Sequence, residues 1–345
     1  LTINQTNEKK LTNEKKLTIN DKYYNITKIG DGAYGVVFKA ICKETNKKTA
    51  IKQISMINDD EEVSSTVIRE IGILKTCNHD NIISFQDIIF EEGLFSKKAY
   101  IVMEYLPTDL YEYMRKYRIQ SSLVRIIMCQ LFGAMEYFHS KMFLHRDLKP
   151  QNILFDPEKK LIKITDFGLS RKFAPWDQKR TYTNKVVTLW YRSPELLLGS
   201  ETYGIEIDMW SLGCIFVEIS NNTPLFPGHD EQNQLCRIFS ILGFPDKLRH
   251  CFKENIQVPC IKNSLRNLDS NGQQLVLNLL DYNQQTRISC TQALQSPYFD
   301  NHINCCQSGI ISPRPVPILE KEPNMMFPET LLTVSRSPNK PPLAK

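Results

Sequence analysis

The chain reads as an α+β protein, with a small sheet-rich lobe at its N-terminal end and a larger, mainly helical lobe behind it. Three observations carry that reading. Short β-branched runs bounded by turns crowd the stretch from Tyr23 to Ile57. After Pro107 the apolar pattern turns helical for long stretches, as over Leu123–His139 and Asp208–Ser220. The composition, 41% apolar and 23% charged over 345 residues, is that of an ordinary globular protein with enough chain for one large core or two smaller ones.

Taken in order, the elements begin with a tail. Asn7-Glu8-Lys9-Lys10-Leu11-Thr12 is echoed by Asn13-Glu14-Lys15-Lys16-Leu17-Thr18, and so polar a stretch buries too little surface to offset its ordering entropy. Residues 1–22 are therefore expected to be a disordered low-complexity tail. The folded domain is expected over 23–299, divided into an N-lobe (23–106) and a C-lobe (107–299). In the first lobe Val36-Val37-Phe38-Lys39-Ala40 and Thr49-Ala50-Ile51-Lys52 predict strands. Val63, Val67, Ile71 and Leu74 recur at helical spacing and predict a helix over about Glu61–Cys77. Tyr100-Ile101-Val102-Met103 predicts another buried strand, and a hinge falls near Glu104–Leu106. From Asn301 onward Pro313, Pro315, Pro317, Pro323, Pro328, Pro338, Pro341 and Pro342 exclude regular structure, so 300–345 is expected to be an extended Pro-rich tail.

Charge and cysteines exclude several classes. A net charge of +5 is too small to argue for a nucleic-acid partner. No apolar run approaches the roughly 18 residues of a membrane span, and Leu1–Asn20 lacks the apolar core of a signal peptide. The chain begins without Met, which suggests a fragment. Ten cysteines, single apart from Cys305-Cys306 and without a CxxC, read as small buried hydrophobes in a reducing compartment rather than a zinc site. The expected location is the nucleus, the cytoplasm or both.

The chemistry sits in three strings. Gly30-Asp31-Gly32-Ala33-Tyr34-Gly35-Val36-Val37 brings three glycines whose missing Cβ atoms let backbone approach phosphate oxygens, although a glycine hairpin alone could be only a turn. His145-Arg146-Asp147-Leu148-Lys149-Pro150-Gln151-Asn152 sets a carboxylate and an amide at a fixed spacing. Asp166-Phe167-Gly168 adds a second carboxylate suited to a metal ion. In this order and spacing the strings resemble the eukaryotic protein kinases, over roughly Tyr24–Phe299.

The resemblance implies a bilobal kinase fold with one key helix in the N-lobe, and ATP and Mg²⁺ as cofactors. It places Ile29, Gly30, Gly32, Gly35, Val37, Ala50, Met103, Glu104, Leu106, Asp109 and Leu154 around the nucleotide. Lys52 would clamp the α- and β-phosphates, held by an ion pair to Glu70. Asp147 would accept or orient the substrate hydroxyl proton, and Asn152 and Asp166 would hold the metal. Lys149, which tyrosine kinases usually lack, would touch the γ-phosphate, and Thr188 would bridge Asp147 and Lys149 in support of serine and threonine substrates. Asp208 would brace the catalytic loop, Glu195 would pair with Arg287, and Leu74, Phe85, His145 and Phe167 match a hydrophobic stack linking the lobes.

Within that family the chain resembles the cyclin-dependent kinases. Ser64-Ser65-Thr66-Val67-Ile68-Arg69-Glu70 is similar to their signature helix, and departs from it at Ser64 and Val67, where proline and alanine are usual. This implies a cyclin partner at the helix around Ser64–Glu70. Arg69, Arg146 and Arg171 would converge on a phosphorylated Thr183, with Thr181 and Tyr182 as alternatives, which implies a separate activating kinase. Tyr34 would be an inhibitory phosphorylation site. Val186-Val187-Thr188-Leu189-Trp190-Tyr191-Arg192 resembles the pocket of proline-directed kinases, so the expected substrates are proteins with Ser/Thr-Pro sites, in cell-cycle or transcription control. Ser193 stands in Ser193-Pro194-Glu195 where the family usually has alanine. Asp246–Asn271 matches poorly, which leaves the docking of a small accessory subunit open. The rival readings are a mitogen-activated-type kinase, opposed by Leu189 and the lack of Thr-x-Tyr in register, and a silent kinase-fold scaffold, opposed by intact Lys52, Glu70, Asp147, Asn152 and Asp166.

Overall fold

The structure, a computed structural model, describes residues 18–32, 35–56, 65–92, 97–173, 188–245 and 261–300. Two compact units divide the chain: one takes Leu1–Ile71 and Ser84–Tyr105, the other Gly72–Ile83 and Leu106–Lys345.

The first unit is built on a five-stranded antiparallel sheet. A short helix, α1 (Ile19–Lys22), leads into β1 (Tyr23–Gly32), β2 (Gly35–Cys42) and β3 (Lys48–Met56), and β4 (Phe85–Glu92) and β5 (Lys97–Glu104) complete the order β1-β2-β3-β5-β4. Alternation along the strands sorts their side chains. Ala40, Ile51, Ile89, Tyr100 and Val102 form one buried face, and Ile19 and Tyr23 pack on it. Residues 18–22 thus correct the expected tail, which was to run to residue 22. Thr18 donates to the Asp21 carboxylate through its N–H and its hydroxyl, both at 2.8 Å. The Ile19 N–H donates to Glu91 (2.5 Å) and Lys22 to Asp87 (2.7 Å). Composition could not foresee this, because the partners lie far along the chain.

Helix α2 (Ser65–Thr76) covers the described part of the expected Glu61–Cys77 helix; Val63 lies outside the described residues. Glu70, Ile73 and Leu74 are buried, while Ile68 is 57% exposed.

The second unit is mainly helical, as the apolar periodicity predicts. β6 (Thr108–Asp109) leads into α3 (Leu110–Lys116), which α4 (Ser121–Ser140) follows. After β7 (Phe143–Leu144), β8 (Ile153–Asp156), β9 (Leu161–Ile164) and β10 (Arg171–Lys172) come α5 (Pro194–Leu197), α6 (Glu206–Asn221), α7 (Glu231–Leu242), α8 (Ile261–Ser264), α9 (Ser270–Leu279) and α10 (Cys290–Leu294). Every residue of α6 from Ile207 to Ser220 is buried, as befits a helix apolar around most of its circumference. The unit also carries two small sheets, β6-β8-β9 and β10-β7, that periodicity did not signal, since their strands run to four residues at most. They hold the loops that carry the chemistry. No described helix is long and apolar enough to cross a membrane.

Candidate active site

In the sheet unit, the three glycines of the string lie on the facing ends of β1 and β2, where Gly30 pairs with Val37 and Gly32 with Gly35. Gly35 has φ +142°, and a Cβ there would collide with the Gln53 carbonyl oxygen of β3, so only glycine fits. Ile29 is half exposed, and Ala50 pairs with Met103 across β3 and β5. Lys52 sits opposite Ile101, and its Nζ donates to both oxygens of Glu70, at 2.7 and 2.9 Å. The two are 7% and 2% exposed. A buried lysine is tolerated when a carboxylate takes its charge, and breaking such a pair costs about 3–5 kcal/mol. At the end of β5, Glu104 exchanges backbone and side-chain bonds with Ser84.

In the helical unit, the loop that follows β7 gathers a second cluster. The Asp147 carboxylate accepts from Lys149 Nζ (2.7 Å) and Asn152 Nδ2 (3.0 Å) on Oδ2, and from Thr188 Oγ1 (2.9 Å) and its N–H (3.2 Å) on Oδ1. Lys149 Nζ also donates to Thr188 Oγ1 (3.0 Å). The Thr188 hydroxyl therefore lies between base and lysine. So held, Asp147 has one orientation, which is what proton transfer to a positioned carboxylate demands.

The loop itself is anchored from below. Asp208, in the first turn of α6, accepts from the backbone N–H groups of His145 and Arg146, both at 2.9 Å, and lies 3.0 Å from His139 Nε2 on α4. Burial pushes its carboxyl up, but the His139 bond, the His139 and His145 charges and the Arg146 N–H outweigh it and hold it below the usual range. Burial pushes the His145 imidazole down. Arg146 and Asp166 both have positive φ, 66° and 65°, backbone strain of the kind that gathers at functional sites. Phe167 packs on His145 and Phe138, each 5.3 Å between centroids.

The profile of the family described as a protein kinase domain matches residues 23–299. The chain belongs to the protein kinase family. It is therefore a kinase with a β-rich N-lobe and a helical C-lobe, acting on protein substrates with ATP and a divalent metal.

The residues of the kinase fit such a metal. Asn152 spends its amide N–H groups on Asp147, on the main-chain oxygen (2.8 Å) and the carboxylate. Its Oδ1 then has no protein donor among the described residues. An amide oxygen and the Asp166 carboxylate are hard donors, and a magnesium site needs few protein ligands because phosphates and water supply the rest. Among the described residues no group of three or more His, Cys, Asp or Glu forms a closed metal cage.

Other expected residues fall as follows. Glu195 meets Arg287 in a buried bidentate pair at 2.6 and 3.0 Å. Arg171, exposed in β10, pairs with Leu144 of β7, and Arg69 is half-buried on α2. Asp109 caps α3 by accepting from the Glu112 N–H (2.8 Å), and burial raises its carboxyl. Leu106 is buried and Leu154 half-buried in β8. Tyr34, Thr181, Tyr182 and Thr183 lie outside the described residues. Sequence reasoning missed Tyr191, whose hydroxyl donates to the buried Glu218 (2.8 Å), and Tyr203, whose hydroxyl meets Arg146. A glutamate in an all-buried helix was the one signal that pointed to the first.

Proposed function

We propose that the kinase is a serine/threonine enzyme of the cyclin-dependent type, transferring the γ-phosphate of ATP to Ser or Thr followed by Pro. It works with a cyclin docked on helix α2 and with Thr183 phosphorylated by an activating kinase. The observation that carries the reading is the Thr188 hydroxyl set between Asp147 and Lys149. It supports an aliphatic hydroxyl as acceptor, since the three groups together hold the base and the lysine for a short side chain. Ile68, an exposed apolar side chain on the helix that resembles the cyclin-binding signature, supports the partner.

Each residue then has a task. Asp147 takes or orients the proton of the attacking hydroxyl. Lys149 steadies charge on the phosphoryl group, and Lys52, fixed by Glu70, holds the phosphates of the nucleotide. Asn152 and Asp166 would hold Mg²⁺, which would supply positive charge beside the phosphates. A residue after the acceptor that carries an N–H would leave that donor unpaired, and proline has none, so selectivity works by rejection.

The test is a peptide array phosphorylated by the full chain purified with its cyclin-box partner. Ser-Pro peptides are expected to exceed matched Ser-Ala peptides about tenfold or more, and Asp147→Asn to lower turnover about a hundredfold or more. Equal labelling of the two peptide sets would sink the proline-directed reading. Unchanged turnover in Asp147→Asn would sink the catalytic assignment.

A further inference from the structure

Asp208, the acid that anchors the catalytic loop, is itself held by His139, and the other ring nitrogen of that imidazole faces a thiol. His139 Nε2 lies 3.0 Å from Asp208 Oδ2, and His139 Nδ1 lies 3.9 Å from Sγ of Cys290, the first residue of α10. All three side chains are buried in the helical unit. Asp208 also receives the His145 and Arg146 N–H groups. Thiol, imidazole and carboxylate thus form a chain from α10 through α4 to the first turn of α6, and it ends on backbone next to Asp147. Bonds on either side of Cys290 fix where its sulfur stands. The Ser289 N–H donates to the Gln292 side chain (2.9 Å), and the Thr291 hydroxyl donates to Glu136 of α4 (2.7 Å).

The hydrogens of this chain follow from its chemistry. The Asp208 carboxyl is held below the usual range, and an ionised carboxylate only accepts, so His139 Nε2 carries the hydrogen between them. In a neutral imidazole Nδ1 is then an acceptor, and a buried acceptor needs a donor of its own. Among the described residues Cys290 is the partner that Nδ1 has. Burial, with the Asp208 and Glu136 charges, pushes the Cys290 thiol well above its usual range, so its hydrogen stays on sulfur. Met209 Sδ also lies 3.3 Å from Sγ, but a thioether is a weak acceptor, and the single S–H hydrogen is better used on the imidazole nitrogen.

We infer that Cys290 is a positioning residue for phosphotransfer, its thiol donating to His139 Nδ1 and so fixing the ring that holds Asp208 beneath the catalytic loop. An imidazole bonded only through Nε2 can still turn about its Cβ–Cγ bond, and a partner at Nδ1 stops that rotation. The inference concerns the phosphotransfer step of a protein kinase and stands apart from the cyclin partner and the acceptor sequence. Two variants separate the donor from the packing. Cys290→Ala removes the sulfur and its hydrogen, and Cys290→Ser removes the sulfur but keeps an O–H donor. If sulfur only filled space, serine would be no better than alanine, because it adds a buried hydroxyl.

The experiment uses the full chain with ¹⁵N-labelled histidine at pH 8.5, where an ordinary imidazole is neutral. The His139 ring signals are assigned as those that His139→Gln removes. In the unsubstituted kinase they are expected to show hydrogen on Nε2 and a hydrogen-bonded lone pair on Nδ1. In Cys290→Ala the Nδ1 signal should move to that of an unbonded nitrogen. In the same variant kcat, on a peptide that the unsubstituted kinase labels, should fall about fivefold, the factor set by one ordinary hydrogen bond. KM for ATP and for the peptide should not change, because the nucleotide and peptide contacts are untouched. Cys290→Ser should return both the Nδ1 signal and kcat toward those of the parent. An Nδ1 signal that Cys290→Ala leaves unmoved, or hydrogen found on Nδ1 in the parent, would overturn the assignment of the thiol as donor. A moved signal with kcat unchanged would overturn the positioning role, and serine behaving as alanine would reduce the sulfur to packing and overturn the inference.

Discussion

Helix α6 buries two carboxylates, one in its first turn and one in its last, and they meet opposite fates. Asp208 receives two backbone N–H groups and lies beside His139, and its carboxyl is held below the usual range. Glu218 receives one hydroxyl, from Tyr191, and burial pushes its carboxyl up to about 7. The helix dipole works in the same direction, favouring an anion at the first turn and opposing one at the last. Both residues are buried nearly completely, so burial does not separate them. The number and charge of the donors do. One end of the helix is therefore a fixed anionic anchor beneath the catalytic loop, and the other is a carboxyl near its titration point beneath the segment that carries Trp190 and Tyr191.

The largest effect is expected from breaking the anchored end. Asp208→Ala strands the His145 and Arg146 N–H groups and a histidine that faced a carboxylate. Removing one partner of such a buried network costs about 3–5 kcal/mol, a large share of a typical stability of about 5–15 kcal/mol. Urea unfolding followed by fluorescence should show the midpoint falling accordingly. Phosphotransfer should be lost with it, because Asp147 sits one residue beyond the freed backbone. A variant with the stability of the unsubstituted kinase would mean that the donors, and not the acid, set the loop.

The other end is sharpened by pH. The carboxyl of Glu218 is raised in the folded state from 4.5 to about 7, so its contribution to stability is complete below pH 4.5 and is lost as pH rises through 7. The whole rise corresponds to about 3 kcal/mol. Glu218→Gln keeps an acceptor for the Tyr191 hydroxyl and never ionises. The difference in unfolding free energy between variant and parent should therefore be small at pH 5 and favour the variant by about 2–3 kcal/mol at pH 8. Other titrating groups, the buried His145 among them, are shared by both proteins and cancel. A flat difference between pH 5 and 8 would show that Glu218 is ionised throughout.

How much of this was legible before the structure follows from the reach of each contact. Strings such as His145–Asn152 and Asp166–Gly168 carry their spacing in the chain itself, and the resemblance they carry to the protein kinases implied the pairs Lys52–Glu70 and Glu195–Arg287, which meet within 3.0 Å. Short β-branched and apolar runs marked β3 and β5 as strands, whose Ile51, Tyr100 and Val102 lie in a buried cluster. Helix α1 escaped because one apolar residue, Ile19, among polar neighbours has no period, and Glu91 and Asp87 that hold it are remote in the chain. Tyr203 and Tyr191 escaped for the same reason, since nothing local tells a turn tyrosine which distant side chain its hydroxyl will meet. Glu218 could have been flagged: α6 contains no Lys or Arg, so a glutamate near its buried end has no cation from its own helix.

The smallest effect concerns Ser193, which extends the comparison to a polar group with no partner among the described residues. Its hydroxyl is fully buried at the N-terminal cap of α5, between Arg192, which reaches Glu231 (2.7 Å), and Glu195, which reaches Arg287. Its Oγ has no hydrogen-bond partner among the described residues, although Arg192 and Glu195 are paired. A neutral group cannot escape by titrating as Glu218 does, so the desolvation cost, about 1–3 kcal/mol for an unmade bond, stays in the folded state. Alanine has nearly the same shape without the hydroxyl, and Ser193→Ala should raise the unfolding free energy by about 1 kcal/mol at every pH between 5 and 8. That pH-independence distinguishes it from Glu218→Gln, whose gain appears only as pH rises. A loss of stability in Ser193→Ala would mean that the hydroxyl is satisfied in solution, by an internal water, and would place Ser193 with Asp208 among the served groups.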